Sequence, residues 1–264
     1  MGRAVVRELQ EHHHRVRCLV HTPGNERMFP DRSVEVHYGS VSDPEALAGA
    51  FYDVEAVIHL VGIIRKSRNR TYDLINRQGV ANVVAAAKEV GVKHFIQVSA
   101  LGATNDAGYP YLYSKWRGDQ EVINSGLSYT ILRPSIMFGP GDEFLNTLAG
   151  LVRTTPVVPM AGSGRNRFQP IAVADMARCL ALTVDREDLK SKTVEIGGPD
   201  QLSYNEVISL IARTLGKRRL SLHVPVGLMN IDQVILPQVV SRPSVTTGPL
   251  TNHAARNMGA TPRA

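Results

Sequence analysis

The chain has 264 residues, 43% hydrophobic and 20% charged, which suits a globular body with a sizeable core and excludes a disordered chain. Cys18 and Cys179 form no spacing motif, so a disulfide framework is excluded and two buried thiols in a reducing, cytoplasmic setting are expected. The net charge of +6 raises nucleic acid as a partner. However, Arg15, Arg17, Lys66, Arg68, Arg70, Lys217 and Arg219 are scattered without interleaved aromatics, so the expectation is a solvated surface with attraction for an anionic cofactor, and no nucleic acid.

Val5, Val6 and Leu9 give Gly2–Glu11 one apolar face and predict a helix. Strands are predicted at Val16–Val20 and Val34–Tyr38, then a helix at Pro44–Phe51 with Asp43 as N-cap and proline at its first position. A strand at Ala56–Leu60, a helix at Tyr72–Val90, a strand at His94–Val98, a helix at Tyr111–Ser125 and a strand at Tyr129–Leu132 follow, with Gly91 and Gly126 closing the two helices. Short β-branched runs alternating with amphipathic segments imply βαβ crossovers, hence an α/β fold with a doubly wound parallel sheet.

Beyond Arg133-Pro134 the rhythm changes. A helix at Glu143–Arg153 leads into Pro156–Pro170, rich in glycine, proline and arginine, then a strand at Gln169–Val173 and a helix at Asp175–Val184 capped by Asp175. A strand at Thr193–Ile196, a helix at Tyr204–Leu215 and a strand at Leu220–Val224 complete a small C-terminal substrate lobe. The division expected is 1–155 for the nucleotide-binding domain, 156–241 for the lobe with elements returning to the core, and 242–264 for an irregular tail. The longest apolar stretch, Val224–Val240, is broken by Asn230, Asp232, Gln233 and Pro237, so it reads as a helix packed on the body and not a membrane span. Peripheral membrane association stays open.

A dinucleotide unit needs a strand and a glycine-rich turn before its first helix, so that backbone N–H groups cradle the pyrophosphate. Gly2 matches only the last position of such a G-x-x-G-x-x-G turn, so the first strand and most of the turn are expected to be missing. The strongest chemical signal is Tyr111-Leu-Tyr-Ser-Lys115. Four-residue spacing puts Tyr111 and Lys115 on one helix face, where an ammonium would lower the phenol's pKa toward working pH, as acid/base transfer at a carbonyl requires. Ser99 ends the preceding strand at the carboxyl edge of the sheet, where ligands bind in open α/β folds. His12-His13-His14 reads as a solvated turn, and Gly162-Ser-Gly-Arg-Asn-Arg167 lacks the setting of a phosphate loop.

Val57-Ile-His-Leu-Val-Gly62, Asn76-Arg-Gln-Gly79, Val98-Ser-Ala-Leu-Gly102, Tyr111–Lys115, Leu132-Arg-Pro-Ser135 and Phe138-Gly-Pro-Gly141 run in the order seen in extended and atypical short-chain dehydrogenases/reductases, which the chain resembles over nearly its whole length. The set His59–Ile64, Ser99–Ala103 and Phe168–Asp175 is similar to bacterial relatives of the accessory NAD(P)H-binding subunit of respiratory complex I, a group that shades into NmrA-like proteins and proteins associated with ubiquinone biosynthesis. The resemblance implies a Rossmann-type sheet, with Tyr111 as general acid/base, Lys115 tuning it and binding the nicotinamide ribose, Ser99 orienting substrate, and Asn76 either catalytic or a tie between helix and strand. It implies cofactor contacts at Gly2, His21, Ser40, Val41, Leu60, Val61, Gly62, Pro134 and Ser135, and substrate contacts at Arg167 and Gln169. Ser40-Val41 replaces an Asp that the family usually places beside the adenine. His21 stands where an acid would bind the ribose 2′-hydroxyl, so NADP(H) is favoured over NAD(H). Three functions follow from the resemblance: an oxidoreductase of a lipophilic or quinone-related carbonyl or hydroxyl compound, a nucleotide-sugar epimerase or dehydratase, and a non-catalytic dinucleotide-binding subunit or assembly factor with a respiratory-complex partner.

Overall fold

The computed structural model describes residues 1–29 and 33–224. The expectations for Val224–Val240 and for the tail from Arg242 therefore lie outside the described residues, apart from Val224 itself.

In chain order the elements are α1 (Gly2–Glu11), β1 (Arg17–Val20), β2 (Glu35–Tyr38), α2 (Pro44–Phe51), β3 (Ala56–His59), α3 (Gly79–Glu89), β4 (His94–Val98), α4 (Pro110–Ile123) and β5 (Tyr129–Pro134). Then come β6 (Met137–Phe138), α5 (Phe144–Thr154), β7 (Val157–Ala161), β8 (Arg167–Phe168), β9 (Ile171–Ala172), α6 (Val173–Thr183), β10 (Lys192–Ile196), β11 (Leu202–Ser203), α7 (Tyr204–Thr214) and β12 (Leu220–Val224). Local chemistry sets the ends. The Asp43 carboxylate accepts from the amides of Glu45 and Ala46, and Ser203 and Glu206 form a reciprocal capping box on α7. Gly91 and Gly126 adopt φ of 72° and 80° after their helices.

Three expectations need correction. Asp175 does not cap α6, because the helix already starts at Val173; Asp175 lies in its first turn, where a carboxylate complements the positive helix end. The predicted helix from Tyr72 opens with a π-helical turn over Asp73–Gln78 before α3. The segment Pro156–Pro170, read from its glycine, proline and arginine content with no strand placed before Gln169, contains β7, which pairs in parallel with β12.

The central sheet is parallel, with order β10-β5-β4-β3, and β1 and β2 form a separate parallel pair. Among the described residues, neither β1 nor β3 has a strand on its second side, so the sheet is interrupted between them. One core still runs under both pieces. Leu19 of β1 and Val57 of β3 pack with Leu47, Phe51, Val83, Phe95 and Ile131, beneath α2 and α3. On the opposite face α1 and α6 bury Val5, Leu9, Met176 and Leu180 against Ile96, Val98 and Leu132. A third cluster, with Leu148, Val152, Met160, Phe168, Val207 and Ile208, joins α5, β7, β8 and α7 away from the sheet.

Candidate functional site

The carboxyl ends of β3, β4 and β5 converge on the first turns of α4. Tyr111 and Lys115 project from one face of that helix. Tyr111 is half-buried against Tyr72, with ring centroids 5.9 Å apart. Lys115 is buried, and its ammonium donates to the Val98 carbonyl at 2.9 Å. A Cβ built on Gly62 would lie 3.5 Å from both Lys115 Nζ and Asn76 Oδ1, so the exposed backbone after β3 runs alongside both groups.

Asn76 is fully buried in the π-turn. Its Oδ1 accepts from the Ile63 amide at 2.9 Å, while its Nδ2 donates to the Ile63 carbonyl and to Ser114 Oγ, both at 3.0 Å. The amide thus clamps the loop after β3 onto α4. Gly118 tightens the same junction, because a Cβ there would sit 2.3 Å from the Asn76 carbonyl oxygen. Only glycine permits that approach.

Ser99 is also buried, and its hydroxyl donates to Asp119 Oδ2 at 2.9 Å. The same carboxylate oxygen accepts from Arg133 Nε and Nη2 at 3.1 and 2.9 Å. While this bond stands, the Ser99 proton is not available to a substrate oxygen. Beside this triad, His59 Nδ1 meets Gln97 Oε1 at 2.9 Å, with His59 and Gln97 directly paired across β3 and β4. His59 Nε2, Gln97 Nε2 and Asp119 Oδ1 are buried without a hydrogen-bond partner, so the site backs onto a polar seam inside the sheet.

The electrostatics correct one expectation. Lys115 does not lower the Tyr111 phenol. Burial pushes Tyr111 up to about 12, with the neighbouring Tyr72 adding to it. The ammonium points at Val98 instead, and burial lowers its own pKa against the pull of Asp119. Burial likewise holds His59 neutral, down to about 3, assisted by the Lys115 charge. Asp119 is raised by its burial, against the opposing pull of Arg133.

A family model described as NAD(P)H-binding matches residues 1–185. The chain belongs to this NAD(P)H-binding family. Among its relatives is the Arabidopsis thaliana mitochondrial NADH dehydrogenase (ubiquinone) 1 alpha subcomplex subunit 9, 30% identical over 171 residues, 64% of this chain and 42% of that protein. Ceramide reductase of Caulobacter vibrioides is 28% identical over 225 residues, 85% of this chain and 70% of that one. The match spans under half the length of the mitochondrial subunits from Arabidopsis, Neurospora crassa and Rattus norvegicus. In fold, Citrobacter sp. triphenylmethane reductase complexed with NADP(H) is similar at TM-score 0.77 and 17% identity, covering 100% of this chain and 93% of that one. Thermus thermophilus UDP-glucose 4-epimerase complexed with NAD follows at TM-score 0.71 and 18% identity, covering 97% and 95%.

Within this NAD(P)H-binding fold the other predicted contacts divide by position. Gly2 is exposed at the start of α1, and His21 is exposed just past β1. Ser40 Oγ is 2.8 Å from Ser42 Oγ. Val41 is core, pressed against Gly79, with its carbonyl accepting from Asn82. Leu60 packs in the α1/α6 core while Val61 is exposed. Pro134 and Ser135 are buried at the end of β5, and the Ser135 amide donates to the Ile196 carbonyl at 2.8 Å. Gln169 is buried, with its amide on the Gly198 carbonyl at 3.2 Å, and Arg167 is exposed on β8. At the histidine run, His13 takes a left-handed φ of 64°, and His14 Nε2 lies 3.5 Å from Asp185.

Sequence reasoning missed Asp119, Arg133, His59, Gln97 and Tyr72 as parts of the site. Asp119 carried a readable signal, four residues past Lys115 on the same helix face.

Proposed function

We propose that this NAD(P)H-binding protein is a reductase of a lipophilic carbonyl compound, with Tyr111 as the proton donor. The observation that carries this reading is the placing of Tyr111 and Lys115 on one face of α4, with Lys115 Nζ beside the Gly62 backbone after β3. Like any phenol, Tyr111 carries its proton at neutral pH, and burial pushes its pKa further up, to about 12. A protonated phenol at that position can give its proton to a carbonyl oxygen as the hydride reaches the carbon. The nicotinamide cofactor, when bound, supplies the hydride to the carbonyl carbon. The chain's own groups do the rest: Tyr111 gives its proton to the oxygen, and Lys115 is the cation beside the Gly62 backbone that would bind the nicotinamide ribose. Asn76 holds that backbone in place. The lipophilic class draws support from the likeness to a ceramide reductase.

NADP(H) is the favoured cofactor in this reading. His21 offers no carboxylate to repel a 2′-phosphate, and the next acid along the chain, Glu26, is tied back to the Gly24 amide at 2.6 Å.

A second reading, a non-catalytic dinucleotide-binding subunit of a respiratory complex, is favoured by two observations: Ser99 spends its proton on Asp119, and several relatives are complex I subunits. Tyr111→Phe separates the two. With NADPH and a panel of long-chain carbonyl compounds and quinones, the variant is expected to lose at least ~100-fold in turnover while keeping dinucleotide affinity within about twofold. Equal turnover by the variant removes Tyr111 from the mechanism. A parent inactive on the whole panel supports the binding-subunit reading.

A further inference from the structure

The loop between β3 and the π-turn concentrates positive charge. Arg65, Lys66, Arg68 and Arg70 fall within six residues, and no acid occurs between Leu60 and Tyr72. Residues 64–71 are all exposed. Reciprocal backbone bonds between Ser67 and Arg70, at 3.0 and 3.1 Å, fold the loop into a tight turn with Arg68 and Asn69 at its tip. Arg65 meets Glu143 only at 3.9 Å with both side chains largely exposed, and among the described residues Lys66, Arg68 and Arg70 make no ion pair. Val61 and Ile64 stand exposed beside these cations, at 39% and 46%.

The loop is joined directly to the site. Tyr72 donates its hydroxyl proton to the Ile64 carbonyl at 2.6 Å, Lys66 Nζ lies 4.8 Å over the Tyr72 ring, and the other contact of that ring is Tyr111. We propose that this loop docks the protein on an anionic lipid bilayer, with its cations at the phosphate headgroups and Ile64 at the acyl boundary. Cations flanked by an exposed aliphatic match a bilayer interface. A single-stranded nucleic acid would want exposed aromatic faces, and the loop's one aromatic neighbour, Tyr72, is covered by Lys66 and Tyr111. In the proposed reductase reading, on which the word substrate rests, docking would bring the Tyr111 face to a lipid-borne substrate without passage through bulk water.

The test is co-sedimentation of the whole protein with vesicles of phosphatidylcholine containing one part in three phosphatidylglycerol, against vesicles of phosphatidylcholine alone. Each basic residue near an anionic surface contributes roughly fivefold in partitioning. The triple substitution Lys66→Gln, Arg68→Gln and Arg70→Gln should therefore lower partitioning to the anionic vesicles by about a hundredfold, with the melting temperature unchanged. Ile64→Ser, with every charge kept, should weaken binding by several-fold. Equal partitioning by the triple variant, or equal binding of the parent to neutral vesicles, overturns the proposal. So does displacement of the parent from anionic vesicles by an equal phosphate concentration of soluble polyphosphate, which would assign the cations to a soluble anion. No turnover enters these measurements, so an inactive protein that still binds anionic vesicles retires the reductase reading and leaves the docking surface standing.

Discussion

The two pieces of the sheet are built differently. Of β3, β4 and β5, β4 is buried throughout and the other two are buried or half-buried, and their carboxyl ends are locked by the Asn76 clamp, the Ser99–Asp119–Arg133 triad and the Gly118 contact. The β1–β2 pair is shallower: β1 buries only Val20 fully, and β2 has exposed ends, Glu35 and Tyr38, around half-buried Val36 and His37. His21 at its end touches none of the clamps. In the proposed reading, proton transfer and nucleotide choice fall to separate structures, one rigid and one lightly packed. Substitutions on the first should cost stability, and substitutions on the second should change ligand preference alone.

The largest effect is expected at Asp119. Asp119→Ala strips the half-buried Arg133 of its carboxylate and Ser99 of its acceptor. Breaking a buried pair from one side costs about 3–5 kcal/mol, roughly 10 °C in melting temperature for a chain of this size. Arg133→Met in the same chain should recover part of that loss, because the stranded cation is then gone. A melting temperature unaffected by Asp119→Ala would mean that the rigid half is not held by the triad.

Next comes an acid-dependent effect at His59. Its folded pKa is depressed to about 3 against an ordinary value of 6.5, so the neutral form belongs to the fold. The stability this contributes is present above pH 6.5 and is lost as pH falls toward 3, at about 1.4 kcal/mol per pH unit while the unfolded chain alone binds the proton. His59→Gln should flatten the denaturation free energy between pH 6 and 4 by that slope. Parallel curves for parent and variant would show that His59 titrates alike in both states.

The smallest effect on stability is expected on the other half. In the proposed NADP(H) reading, His21→Asp should shift the NADPH-to-NADH affinity ratio toward NADH by about tenfold or more, through repulsion of the 2′-phosphate, with no change in melting temperature. Titration of both dinucleotides at matched ionic strength checks it. A substantial drop in melting temperature would break the contrast between the halves.

The βαβ rhythm was legible because its signals are local. Apolar periodicity placed α1, α2, β4 and β12 at the observed residues, and Asp43, Gly91 and Gly126 marked ends through chemistry confined to a turn. Tyr111 and Lys115 were legible for the same reason, since four-residue spacing needs only a helix. What could not be read was long-range. Asp119 reaches Arg133 and Ser99 from another element, and the lysine's turn toward Val98 follows from which carbonyl the sheet presents. The short strands β6, β8 and β11 have two residues each, too few for any period to show, whereas β9 lies inside the strand predicted at Gln169–Val173. Among the described residues, no strand fills the break between β1 and β3.

The approach of Gly118 to the Asn76 carbonyl also offers a way to sort relatives of this chain. Any side chain at that position pushes α4 away from the π-turn, and the Asn76–Ser114 bond stretches with it. The three positions therefore form a linked character, and they should change together along lineages. A relative that keeps the tyrosine and lysine but carries a larger residue in place of this glycine should also have abandoned the asparagine and the serine. Such a sequence would mark a branch in which the two helices have drifted apart and the proton donor answers to a different frame.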